Sequence, residues 1–80
     1  MQELDLNGLK CPLPVLRLRR YLRDHVKIGE QVQVFTTDPM SEIDIPHYCN
    51  EFDQKLISQE ATDNGHVFIV EKHSEVVTPS

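Results

Sequence analysis

Cysteine, glycine and long apolar segments are all scarce in this sequence of 80 residues, and each shortage excludes a class of protein. Two cysteines are too few for the disulfide scaffolds that stabilise small secreted domains. The longest uninterrupted apolar run covers only residues 67–70, far short of the roughly 20 residues that span a membrane. The first ten residues include acids and no apolar stretch of signal-peptide length, so we expect a soluble, cytoplasmic protein without a membrane partner.

Motifs of several large enzyme classes are also missing. The sequence has no glycine-rich phosphate loop, no nucleophile elbow and no internal repeat. Its formal net charge of -5 disfavours nucleic-acid binding that relies on overall charge, so no direct nucleic-acid partner is expected. The charge is uneven, because residues 1–29 hold six bases and three acids, whereas residues 30–80 hold two bases and ten acids. Any basic surface must therefore lie near the N-terminal third of the chain.

Apolar periodicity predicts most of the secondary structure. A short alternating strand at residues 3–6 precedes a helix over residues 12–27. Residues 31–37, 55–62 and 66–72 are rich in β-branched and aromatic side chains and are predicted to be strands. The core side of the first helix consists of apolar residues spaced three and four apart, namely Val15, Leu18, Leu22 and Val26.

A second helical region and a hairpin complete the pattern. Asp38 and Pro39 mark the start of the helical region as its N-cap and first turn, and Pro46 is expected to break it into two short pieces. The Asp63-Asn64-Gly65 segment predicts a hairpin, because Asn-Gly tolerates positive φ. The apolar side of the helical region is expected to come from Ile43, Ile45, Tyr48 and Phe52.

The resulting β-α-β-α-β-β order predicts an α+β fold. We expect a two-layer α/β sandwich with a four-stranded mixed sheet and both helices on one face. Its first β-α-β unit should be parallel and right-handed. Residues 1–73 are predicted to form a single domain, and residues 74–80 a flexible C-terminal tail.

The turn before the first helix carries the candidate nucleophile, Cys11. The positive end of the helix and the neighbouring Lys10 both favour a thiolate over a thiol. Pro12 and Pro14, expected at the first and third helical positions, replace N–H groups that have no intrahelical partner and so stiffen the helix start. The N–H of Leu13 is left to point toward the sulfur. Residue statistics alone leave open that Cys11 is only a half-buried thiol at the helix cap.

Side chains on the same helix predict a docking surface next to Cys11. Leu13 and Leu16 do not fit the core stripe and share the basic side of the helix with Arg17 and Arg20. Such a surface suits an acidic, partly apolar protein partner. A solvated arginine face, with the leucines buried under a neighbouring loop, is the alternative.

The sequence resembles the TusA/SirA/YedF-like sulfur carrier proteins over nearly its whole length. Four segments carry the resemblance: Leu4-Asp5-Leu6-Asn7-Gly8-Leu9-Lys10-Cys11-Pro12-Leu13-Pro14, Gly29-Glu30, Thr37-Asp38-Pro39 and Asp44-Ile45-Pro46-His47-Tyr48-Cys49. The resemblance implies a sulfurtransferase whose Cys11 carries sulfane sulfur as a persulfide, without a further cofactor. It also implies a protein donor, either a cysteine desulfurase or a rhodanese-like protein, and a protein acceptor in tRNA thiolation, cofactor assembly or sulfur oxidation. We expect the carrier to be a monomer.

Two departures from the family pattern bear on the partner. Leu13 stands where many relatives place a polar or acidic residue between the two prolines, and Thr37 stands where a second Asp is frequent. Neither departure removes Cys11. The first affects which acceptor can approach the sulfur.

Cys49 is a possible secondary thiol, although a carrier needs only one and a core position is the simpler interpretation. A reversible Cys11–Cys49 disulfide is an alternative that depends on their separation in space. No metal is expected, because Cys11, His47 and Cys49 lack a standard ligand spacing and a fourth ligand.

The rival hypothesis for the whole chain is a non-enzymatic regulatory module. It would bind a protein or RNA through a basic face formed by Arg17, Arg20 and Arg23, with Cys11 serving only as a helix cap.

Overall fold

Four strands and two helices form the fold in the predicted order. The computed structural model describes residues 1–76. The elements are β1 (Gln2–Leu6), α1 (Leu13–His25), β2 (Gln31–Thr36), α2 (Ser41–Glu51), β3 (Lys55–Ala61) and β4 (His66–Glu71). Each strand boundary that differs from the prediction differs by a single residue.

The sheet is mixed, with strand order β1-β2-β4-β3. β1 and β2 pair in parallel, with Leu4 opposite Val34, and β4 is antiparallel to both of its neighbours. Because α1 crosses between two parallel strands, the C-terminal ends of β1 and β2 lie at one edge of the sheet, where both helices begin. The predicted α+β sandwich is confirmed.

One face of the sheet forms the core with the two helices. Burial alternates along β2, so that every second side chain faces the helices. On α1, Val15 is only partly buried against this core, and the remainder of the predicted stripe is buried. The fully buried residues of β2, β4 and α1 are Val32, Val34, Phe68, Val70, Leu18 and Leu22.

The second helix is continuous, so the prediction of two short pieces was wrong. Pro46 lies inside α2 and lacks the N–H that would bond to the carbonyl of Glu42. In its place, the side-chain amide of Gln59 on β3 donates to the Glu42 carbonyl at 3.2 Å. A neighbouring strand thus satisfies the acceptor that proline leaves open. Ile45 and Tyr48 are buried as expected, whereas Phe52 is exposed.

The predicted hairpin between β3 and β4 is present, but its turn works differently. The loop has four residues, and the N–H of Thr62 donates to the carbonyl of Gly65 at 2.7 Å. Gly65 does not have a positive φ, in contrast to the expectation for Asn-Gly. It is needed for space, since a Cβ at this position would lie 1.9 Å from the Thr36 carbonyl oxygen.

The chain just after β4 contacts the segment that follows α1. Lys72 is buried, and its ammonium donates to the carbonyl of Val26 just beyond α1, at 2.9 Å. The predicted tail, residues 74–80, falls partly outside the described residues. Within them, the side chain of Gln54 bonds the backbone of Ser74 through both its oxygen and its nitrogen. No helix in residues 1–76 is both long and apolar enough to cross a membrane.

Candidate functional site

Cys11 lies on the turn that joins β1 to α1, at the sheet edge where both helices begin, and its side chain is exposed. The helix starts one residue later than predicted, because Pro12 is the N-cap and Leu13 the first helical residue. Pro14 therefore occupies the second helical position and not the third. The Leu13 N–H donates to the carbonyl of Lys10 at 2.9 Å, so it is not directed at the sulfur as expected.

The segment after β2 holds the Cys11 turn from the side. The N–H of Gly8, which has a φ of 84°, donates to the Thr37 hydroxyl at 2.8 Å. The N–H of Cys11 donates to one carboxylate oxygen of Asp38. The other carboxylate oxygen accepts from the N–H of Met40 at 3.1 Å. Asp38 thereby connects the cysteine turn to the start of α2.

This role of Asp38 differs from the predicted helix cap. Met40 is the N-cap of α2, and no side chain caps this helix. Asp38 lies two residues earlier, where its carbonyl accepts from the N–H of Ser41 at 3.0 Å. Its carboxylate spans two loops, which the local sequence pattern does not reveal.

The electrostatic environment of Cys11 is the opposite of the one expected. The Asp44 carboxylate in the first turn of α2 accepts a hydrogen bond from the thiol and so raises the pKa of Cys11 above its ordinary value of 9.0. Slight desolvation and the negative charges of Asp44 and Asp38 raise the pKa of Cys11 further. These carboxylates therefore favour the thiol form of Cys11 over the thiolate. Lys10 and the helix end do not reverse this effect.

A shallow cavity of about 440 Å³ opens beside Cys11. It lies between the two turns that Asp38 and Thr37 connect, so the same hydrogen bonds that fix Cys11 also fix the cavity walls. Its lining consists of Gly8, Leu9, Lys10, Cys11, Thr37, Asp38 and Pro39. The predicted site-shaping residue Lys10 therefore lines the cavity, whereas Pro12 and Pro14 are at the helix start and do not line it.

Exposed apolar side chains border the site on both helices. On α1, Leu13 is 43% and Leu16 47% exposed, so the structure excludes their burial under a neighbouring loop. At the start of α2, Met40 is 46% and Ile43 63% exposed. The prediction that Ile43 faces the core was therefore wrong, and the sequence pattern gives no sign that Met40 is exposed at the site. We call Leu13, Leu16, Met40 and Ile43 the apolar border.

The arginines of α1 lie on two sides of the helix. Arg17 and Arg20 line a groove of about 210 Å³ between α1 and β1, together with Tyr21. Arg19 lies over the ring of Phe52 at 5.4 Å, on the side of α2. Arg23 forms an ion pair with Asp24 at 2.7 Å. Asp24 also lines the groove of Arg17 and Arg20, so an acid lies among the three arginines of the rival hypothesis.

Cys49 belongs to the core. Its side chain is 2% exposed, and burial raises the pKa of Cys49 to about 11. Both cysteines are free thiols, with Cys11 exposed and Cys49 buried. Within residues 1–76, no group of three or more His, Cys, Asp and Glu side chains is placed to hold a metal ion.

Comparison with known proteins gives consistent matches over the whole fold. The family model "Sulfurtransferase TusA" matches residues 2–72. The sulfur carrier protein TusA of Pseudomonas fluorescens (strain SBW25) is 35% identical over 71 residues, which are 89% of this chain and 84% of that protein. The crystal structure of a SirA-like protein from Desulfitobacterium hafniense superposes with a TM-score of 0.73 at 23% identity. It covers 94% of this chain and 100% of that one, and at this identity it shows a shared fold.

Proposed function

Because the chain belongs to the sulfurtransferase TusA family, we propose that Cys11 accepts a sulfane sulfur from a protein donor, carries it as a persulfide and passes it to a protein acceptor. The observation that carries this proposal is the contrast between the two thiols. Cys11 is exposed on a turn fixed by hydrogen bonds, and Cys49 is buried in the core. Only Cys11 can meet a sulfur atom on another protein without local unfolding.

The transfer chemistry needs one thiol and no further oxidant. The Cys11 thiolate attacks the terminal sulfur of a cysteine persulfide on the donor, and a new S–S bond forms at Cys11. The S–S bond of the donor breaks, its electron pair stays on the donor cysteine sulfur as a thiolate, and the Cys11 proton passes to that sulfur. An acceptor thiolate then attacks the terminal sulfur on Cys11 in the same way. Sulfur moves covalently at each step, so the proposed carrier uses no metal or organic cofactor.

The site geometry suits brief contact with two different proteins. The cavity beside Cys11 leaves room for a donor or acceptor segment, and the apolar border gives such a segment surface to bury. We propose that Leu13 and Leu16 contact these partners, with Arg17 and Arg20 at the edge of the interface. The donor is a cysteine desulfurase or rhodanese-like protein, and the acceptor acts in tRNA thiolation, cofactor assembly or sulfur oxidation. Leu13, two residues from the sulfur, would influence which acceptor binds.

Intact-mass measurement tests the carrier role. Reduced protein is incubated with a cysteine desulfurase and L-cysteine, or with a thiosulfate sulfurtransferase and thiosulfate, and is then weighed before and after treatment with a reductant. We expect the wild type to gain one reductant-labile sulfur atom. Cys11→Ser should gain none, whereas the matched variant Cys49→Ser should keep most of the loading. Loading that persists in Cys11→Ser would refute the proposal.

A further inference from the structure

The inner strand β4 is apolar on both faces. Its residues Val67, Phe68, Ile69 and Val70 form the longest apolar run in the chain. Phe68 and Val70 are fully buried on the helix side, so Val67 and Ile69, which alternate with them, face the other side of the sheet. A strand with one face in water normally alternates apolar and polar residues, whereas a continuous apolar run is typical of a strand covered on both faces.

Phe35 extends this apolar surface onto β2. It is directly opposite Val67, whereas its two neighbours in β2 are buried on the helix side. Phe35, Val67 and Ile69 are half-buried, and none of them belongs to the core formed with the helices. Ile57, at the register shift of β3 next to the partner of Ile69, is 47% exposed. We call Phe35, Val67 and Ile69 the open-face strip.

No element of residues 1–76 is left to cover the open-face strip. Both helices contribute to the core on the opposite face, and the described chain contains no further helix or strand. An apolar surface with a polar rim marks an interaction site on a folded protein. A sheet with helices on one face gains a third layer when another helix packs on its free face. A helix of another molecule is therefore the element that fits the strip.

The two flanks of the strip are acidic. On one side, Glu3 and Asp5 are exposed on β1, and Asp5 is directly opposite Phe35. On the other side, Glu60 is exposed on β3, opposite Val67. Neighbouring strands lie about 4.8 Å apart, so β1 and β3 are separated by about 14 Å. That width accommodates one helix, whose diameter with side chains is about 10–12 Å.

The other charges of this face do not offset the acidic flanks. Lys55 is the base at one end of the face, and it is opposite Glu71 in the register of β3 and β4. The Glu71 carboxylate accepts a hydrogen bond from the side chain of Gln31 at 3.2 Å. Since Lys55 and Glu71 have opposite charges, the acids of the flanks leave the face with a net negative charge.

Charge complementarity determines the kind of molecule that fits. A negative face repels nucleic acids and anionic lipids, and it repels the same face of a second copy. Packing of α1 from a second copy on this face would be a head-to-tail contact, which propagates into open chains unless it closes into a ring. The chemistry that fits is an apolar helix with lysine or arginine side chains along both edges.

We propose that the open-face strip binds an amphipathic basic helix of a protein partner, whose lysine or arginine side chains reach Glu3 and Glu60. This surface is on the opposite side of the sheet from the helices whose first turns border Cys11. A partner on the strip therefore leaves Cys11 accessible to a second protein. The binding uses no property of Cys11, so the proposal is independent of the carrier role.

Titration of the isotope-labelled full chain with two synthetic helical peptides tests the proposal by NMR. Both peptides are about 18 residues long, or ~27 Å, and share a leucine stripe, which is flanked by lysines in one and by glutamates in the other. We expect the lysine peptide to shift the methyl signals of Val67 and Ile69 and to bind at least about tenfold more tightly than the glutamate peptide. Equal affinities, or shifts confined to Leu13 and Leu16 on α1, would overturn the proposal.

Variants of the strip and of its flank sharpen the test. Val67→Thr/Ile69→Thr keeps β-branched side chains and should weaken the lysine peptide by about tenfold, because less apolar surface is buried. Glu60→Gln leaves the strip intact and should weaken it by about twofold to fivefold, the range of an exposed ion pair. Glu42→Gln is the matched control, since it removes an exposed acid from the start of α2, and it should bind as the wild type does. Equal weakening by Glu42→Gln would place the peptide at α2 and refute the proposal.

Two further measurements distinguish the other possible occupants. Sedimentation of the free wild type over a concentration series should show a monomer. Dimers that disappear in Val67→Thr/Ile69→Thr would show that a second copy covers the strip. A single-stranded oligouridylate, titrated in place of the peptide, should leave the methyl signals of Val67 and Ile69 unchanged. Dimers of this kind, or shifts caused by the oligouridylate, would overturn the proposal of a basic protein partner.

Discussion

The two cysteines of this chain have pKa values raised in the same direction for unlike reasons. At Cys11, a hydrogen bond to the Asp44 carboxylate is the main cause, and the side chain is exposed. At Cys49, burial in the core is the cause. A neighbouring charge can be neutralised by a partner or screened by salt, whereas burial is removed only by unfolding. The pKa of the exposed Cys11 thiol can therefore be changed by its surroundings, whereas that of the buried Cys49 thiol cannot be changed without unfolding.

The largest expected difference between Cys11 and Cys49 is the rate at which each is alkylated in the folded protein. We expect iodoacetamide to alkylate Cys11 at least about a thousandfold faster than Cys49, since Cys49 must await an opening that costs about 5 kcal/mol or more. Peptide mass after timed labelling at neutral pH measures both rates in one sample. Labelling of Cys49 at a rate close to that of Cys11 would mean that α2 opens readily. The two cysteines would then not differ in accessibility as proposed.

The next largest expected effect is a loss of protein stability at alkaline pH, caused by the buried thiol of Cys49. Since burial raises the pKa of Cys49 from 9.0 to about 11, its contribution to stability is complete below pH 9.0. That contribution is lost as pH rises toward about 11, because the unfolded chain ionises first. We expect a loss of about 2 kcal/mol in the free energy of unfolding over this interval. Urea titrations at several pH values measure it.

Cys49→Ala is the variant that isolates this contribution. It should flatten the pH dependence between pH 9.0 and about 11, although the smaller side chain lowers stability at neutral pH. Tyr48, whose pKa burial raises to about 12, will keep a slope above pH 10.0 in both proteins. A Cys49→Ala protein as steep as the wild type would assign the effect to other groups.

The predicted parts of the molecule are those set by near neighbours in the chain. Periodicity identified α1 and its buried residues Leu18 and Leu22, because side chains three and four apart share a face whatever they pack against. The break at Pro46 was predicted wrongly for a related reason. The energetic cost of a proline inside a helix depends on whether another group donates to the carbonyl that it leaves without a partner. Here the Glu42 carbonyl accepts from Gln59, which lies on β3, further along the chain.

The surroundings of Cys11 could be predicted only in part. Lys10 and the helix end were visible in the local sequence and suggested a lowered pKa. Asp44 is 33 residues further along the chain, and only the parallel β1–β2 pairing brings the first turn of α2 beside Cys11. The turn hydrogen bonds to Thr37 and Asp38 depend on the same pairing. The nucleophile was thus a local inference, and its electrostatic control is a property of the fold.

Asp38→Ala should disturb the turn that holds Cys11, and its effect should be intermediate in size. The variant removes the acceptor for the N–H groups of Cys11 and Met40, so we expect a loss of about 1–2 kcal/mol in stability by urea titration. Labelling of Cys11 should become faster because a nearby negative charge is gone and the turn is less fixed. Asp38→Asn, which keeps one side-chain acceptor, should retain more of the stability. Equal stability of the wild type and Asp38→Ala would show that the turn does not need this connection.

Salt should produce the smallest effect and the clearest division between the cysteines. Ions screen the charges of Asp44 and Asp38 at the exposed thiol, so raising the ionic strength at fixed pH should increase iodoacetamide labelling of Cys11 by about twofold. The hydrogen bond to Asp44 persists, which limits the gain. Labelling of Cys49 in the same samples should not rise, because no exposed charge accounts for its raised pKa. Sodium chloride suits the titration, since strongly excluded salts also change protein stability. If both cysteines respond alike, salt acts through opening of the fold; if neither does, the carboxylates beside Cys11 have little electrostatic influence on it.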